Sequence, residues 1–94
     1  MATRSTIKVE GVDFVKIYQH WDGAPSEMLP MLESFNADFE KHRANDPEYK
    51  IAQLVARLAD GYTGHGLMPI DAEVGAAYEY TLNLDGSVSY EDLY

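Results

Sequence analysis

The hydrophobic pattern of this chain changes period twice, from two residues to about 3.6 and back again, and few folds accommodate that. Thr6-Ile7-Lys8-Val9-Glu10 alternates polar with apolar, Gly11-Val12-Asp13 offers a turn, and Phe14 to Trp21 is rich in β-branched and aromatic residues. The two runs predict a β-hairpin with Ile7, Val9, Val15 and Ile17 on one side and Lys8, Lys16, Tyr18 and His20 on the other. Asp22-Gly23-Ala24-Pro25-Ser26 then breaks the strand. From Glu27 to Arg43, Met28, Met31, Leu32, Phe35 and Phe39 recur at helical spacing, with Ser26 as a candidate cap and Pro30 blurring the start. Asp46, Pro47 and Glu48 announce a second helix, whose stripe is Ile51, Leu54, Val55 and Leu58 and whose stop is Gly61.

The glycine-rich stretch 62–75 reads as a long loop, of a length that is often functional or mobile. Tyr78 to Leu84 alternates strictly, Asp85-Gly86 is a hairpin signal, and Ser87 to Tyr90 returns as a last strand. The expected architecture is α+β: a four-stranded antiparallel sheet with two helices on one face, in the order β-β-α-α-β-β. One compact domain spans 1–94, with the first five residues expected to be flexible.

Charge narrows the function classes. Sixteen acidic side chains face seven basic ones. Residues 1–57 hold all seven Lys and Arg with nine of the acids, whereas 58–94 hold seven acids and no Lys or Arg. Such a field repels phosphate backbones and anionic membranes and attracts basic surfaces. The absence of cysteine excludes disulfides, thiolate metal sites and a cysteine nucleophile. No secretory signal or membrane-spanning run is visible, which makes the cytoplasm the expected location.

Three constellations resemble catalytic or ligand motifs, and each has a simpler reading. His20-Trp21-Asp22-Gly23 could supply a base and an orienter, but turn chemistry alone explains Asp-Gly. His20, His42 and His65 lack the spacing of a metal site. Gly61-Tyr62-Thr63-Gly64-His65-Gly66 is glycine-rich, yet it follows a helix and lacks the Gly-Lys-Ser/Thr ending of a phosphate loop. No catalytic residue, metal or cofactor is expected. Tyr80 and Tyr90 share strand parity with core positions and are expected to pack inward, with Tyr18, Tyr62 and Tyr94 more exposed.

The segments Ile17-Tyr18-Gln19-His20-Trp21-Asp22-Gly23-Ala24-Pro25, Gly61 to Leu67 and Tyr78 to Leu82 resemble a family of small proteins from phages, prophages and plasmids. The resemblance covers roughly residues 5–90 and implies an accessory protein of a mobile element, a context in which small acidic proteins often inhibit host defences. The resulting expectation is an inhibitor in the host cytoplasm. It would bind a basic, nucleic-acid-handling host protein such as a CRISPR effector complex, and bind no nucleic acid or membrane itself. The candidate contact residues are Asp71, Glu73, Glu79, Asp85, Glu91 and Asp92, with Tyr62 and Tyr94 as anchors and a monomer or homodimer as the assembly. The alternative is a protein that sequesters a small molecule such as a nucleotide signal, between the Trp21–Asp22 turn and the 62–66 loop.

Overall fold

Ile7, Val9, Ile17, Tyr80 and Leu82 all turn to one face of a sheet, where Met28, Leu32, Leu54 and Leu58 from two helices close over them. The computed structural model describes residues 3–93. Its elements are β1 (Ser5–Val9), β2 (Val15–Gln19), α1 (Pro25–His42), α2 (Pro47–Gly61), β3 (His65–Pro69), β4 (Tyr78–Leu82) and β5 (Val88–Asp92). Both helices lie on the one apolar face, as their single buried stripes require.

The sheet corrects the four-stranded antiparallel expectation. It has five strands in the order β3-β2-β1-β4-β5, and β1 pairs with β4 in parallel while the other neighbours are antiparallel. The extra strand, β3, comes from the expected loop. Its sequence, His65-Gly66-Leu67-Met68-Pro69, has little strand propensity, but pairing with β2 fixes its register, and at a sheet edge Pro69 need not donate. Once β3 occupies the outer side of β2, the chain must recross the sheet to reach the far side of β1, and β4 therefore arrives parallel to β1. From the end of β3 to the start of β4 the path is roughly 22 Å, one strand length back and three strand spacings across. Residues 70–77 cover that distance as an irregular crossover that opens with a turn, the Ala72 amide donating to the Pro69 carbonyl at 3.0 Å.

Helix starts also differ from the simplest reading. Ala24, not Ser26, is the N-cap of α1, and Pro25 takes the first helical position. Asp46 caps α2 without a side-chain cap bond; its carboxylate accepts from Arg43 Nε at 2.9 Å instead. Two buried polar groups tie the helices to the β4–β5 hairpin. Asn36 Nδ2 donates to the carbonyls of Asn83 and Ser87 at 3.0 and 2.8 Å. Lys50, fully buried, pairs with Glu40 Oε2 at 2.5 Å and lies 3.4 Å from the Asn83 carbonyl. Burial pushes the Glu40 carboxyl upward, but bonds from Lys50 and the Asn45 amide and the Lys50 charge outweigh it and hold the group below 4.5.

Candidate functional site

The sheet face opposite the helices carries Thr6 and Lys8 from β1, Lys16 and Tyr18 from β2, Glu79 and Thr81 from β4, and Ser89 and Glu91 from β5. The crossover 70–77 runs over this face. It borders an open cleft of about 500 Å³ lined by Thr6, Lys16, Glu79, residues 72–76 and Leu93. Glu79 stands at the centre of the face. It accepts from Thr6 Oγ1 at 2.9 Å, pairs with Lys8 Nζ at 3.0 Å, and lies 3.9 Å from Lys16 Nζ. Burial raises its carboxyl, but the bonds from Lys8 and Thr6 and the charges of Lys8 and Lys16 prevail and hold it below 4.5.

The candidate carboxylates therefore divide. Glu79 is half-buried and neutralised by cations from the first half of the chain. Asp71, Glu73, Asp85, Glu91 and Asp92 are exposed. Among the described residues, Asp71, Glu73, Asp85 and Glu91 form no ion pair. Glu73 and Glu91 lie toward the open face, Glu91 directly across from Glu79. Asp92 ends β5 opposite Tyr78. Asp71, just beyond β3, and Asp85, in the β4–β5 turn, lie at the other end of the sheet and toward its opposite edges, so the set is spread over the crossover, the β4–β5 turn and β5, not gathered in one compact patch. Ser87 donates to Asp85 from its hydroxyl and amide, which holds that carboxyl below its ordinary value.

Of the two tyrosine anchors, Tyr62 is the C-cap of α2 and packs half-buried against the core, and Tyr94 lies outside the described residues. Tyr80 is fully buried, as its parity predicts, and its hydroxyl donates to the Gly23 carbonyl at 2.6 Å. Tyr90 departs from the same rule at 48% exposed. It faces the helix side beside Tyr80, ring centroids 5.7 Å apart, but β5 is an edge strand and only its start, at Val88, packs against the core. The edge position, invisible in the parity of the sequence, leaves Tyr90 exposed beside Glu91 in β5.

Two of the three segments that carry the family resemblance, 17–25 and 61–67, meet at the opposite edge. Gln19 Nε2 donates to the carbonyls of Trp21 and Thr63 at 2.8 and 2.9 Å, and the His20 amide donates to Gly64 O at 2.8 Å. Trp21 packs onto Gly64, where a Cβ would come 2.8 Å from the indole and where φ is +73°. The indole fills the space in which a ligand between these segments would sit. Tyr18 and His20 are hydrogen-bonded side chain to side chain at 2.7 Å, and His20 meets Trp21 edge-on at 4.5 Å. Gly23 has a positional reason of its own: a Cβ there would lie 2.6 Å from the Thr3 carbonyl. The motif thus builds a tight corner linking β2, β1 and β4.

Among the described residues no cluster of His, Asp and Glu is arranged to hold a metal ion, and no helix is long and apolar enough to cross a membrane. No known family model, curated protein or solved structure matches the chain.

Proposed function

We propose that this chain is a non-catalytic binding protein that engages a basic, nucleic-acid-handling protein surface through the carboxylates of the crossover, the β4–β5 turn and β5. The observation that carries this reading is that Asp71, Glu73, Asp85 and Glu91 are exposed and lack cation partners among the described residues. Three of the seven cations are held by other carboxylates: Lys50 by Glu40, Arg43 by Asp46 and Lys8 by Glu79. Carboxylates without internal partners can pair with the Arg and Lys that otherwise hold phosphates, and like-charged surfaces are rejected. Tyr90 adds aromatic contact area beside the β5 carboxylates.

The resemblance to accessory proteins of mobile elements makes a host defence protein, such as a CRISPR effector complex, the target class. Glu79 is excluded from the contact set because Lys8 and Thr6 already hold it. The test is competition. A defence complex should lose its nucleic acid in a mobility-shift assay as this protein is added, with one equivalent sufficing at concentrations well above Kd. Simultaneous binding of both, with no displacement, would contradict the reading.

A further inference from the structure

We propose that the cleft beneath the crossover binds a small organic monocarboxylate. The chain has only seven Lys and Arg; of these Lys16 lines the cleft, Arg4 lies beside its Gly75, and Lys8 pairs with its Glu79 at 3.0 Å. Lys16 lies at its floor with a side chain only 8% exposed. Its nearest carboxylate oxygen, Glu79 Oε2, is 3.9 Å away, too far for a hydrogen bond, and among the described residues its ammonium makes none. A nearly buried ammonium with unmet donors is costly, and an acceptor entering the cleft would relieve that cost. Arg4 stands at the rim. A Cβ on Gly75 would lie 3.4 Å from Arg4 Nη1, and among the described residues this guanidinium has no ion pair.

Charge selects the ligand. Glu73 and Glu79 also line the cleft, so the three cations exceed the local carboxylates by one. A single negative charge balances that excess; a phosphate dianion would meet uncompensated repulsion from Glu73 and from Glu91 one strand further out. Val74 and the exposed Leu93 give the ligand an apolar wall, and about 500 Å³ is within the range of small-molecule sites. This site differs from the carboxylate contact set in using cations at the sheet face, and Glu73 borders both.

The test is titration of the ¹⁵N-labelled full chain with sodium butyrate and, separately, with inorganic phosphate. Butyrate should shift the amides of residues 72–76 and Leu93 saturably, and Lys16→Met should abolish the response. Arg4→Gln, at an exposed position, should weaken binding about tenfold without disturbing the fold, and it decides the matter if Lys16→Met does not fold. Absence of a saturable butyrate response, an unchanged response in Arg4→Gln, or tighter binding of phosphate than of butyrate would each overturn the proposal.

Discussion

Replacing Glu40 by Gln isolates the most buried electrostatic contact in the fold. Lys50 is fully buried and, among the described residues, its only carboxylate partner is Glu40 Oε2 at 2.5 Å, itself on a side chain 8% exposed. After Glu40→Gln the ammonium keeps only the Asn83 carbonyl at 3.4 Å and the Phe39 ring at 5.6 Å. Breaking a buried pair from one side costs about 3–5 kcal/mol. The Asn45 amide, 3.2 Å from Glu40 Oε1, can still donate to Gln, which favours the lower end of that range. A loss of about 3 kcal/mol lowers the melting temperature by roughly 12–24 °C in a domain of this size. Urea unfolding followed by circular dichroism measures it. The double variant Glu40→Gln/Lys50→Met should recover much of the loss, because no buried charge is then left alone. A loss below about 1 kcal/mol in the single variant would refute the reasoning, since it would place the pair in water.

Acid should unfold the protein through the same chemistry. The folded-state pKa values of Glu40 and Glu79 lie below 4.5, so the stability they contribute is present above that value and lost as pH falls through the lowered ones. Urea midpoints measured from pH 6 to pH 2.5 should fall below about pH 4.5, and less steeply in Glu79→Gln. Gly23→Ala should cost about 1–3 kcal/mol, because its Cβ meets the Thr3 carbonyl and Ser5 Oγ at 2.6 and 2.7 Å; thermal melts report this. Tyr80→Phe should cost about 1–2 kcal/mol in urea unfolding by leaving the Gly23 carbonyl without its donor. That hydroxyl remains a donor at ordinary pH, since burial and the neighbouring Tyr78 and Tyr90 push its pKa up.

Much of the fold was legible because periodicity reports burial. Ile7, Val9 and Ile17 alternate and are buried in the core, and Met28, Leu32, Leu54 and Leu58 fall on helical stripes that cover them. What escaped were features set by long-range pairing. β3 forms from residues of low strand propensity because β2 offers a template, and the parallel β1–β4 pair follows from it. Asn36 and Lys50 are polar and would be placed outside by any hydropathy rule, yet both are buried by partners distant in sequence. At the site, formal charge counted Glu79 with its neighbours, although Lys8 and Thr6 lie against it only once β1 and β4 pair. Strand parity placed Tyr90 inward, but parity cannot tell an outermost strand from a central one. The gathering of Arg4, Lys8 and Lys16 likewise depends on where the crossover passes.

Charge reversal at Glu73, Asp85 and Glu91, all exposed and without ion pairs among the described residues, tests the central claim most directly. The affinity of the triple Lys variant for its protein partner should fall by at least about a hundredfold while its melting curve stays close to that of the parent, and the parent's own affinity should weaken steadily as salt is raised. Equal affinity of parent and variant, unaffected by salt, would contradict the account.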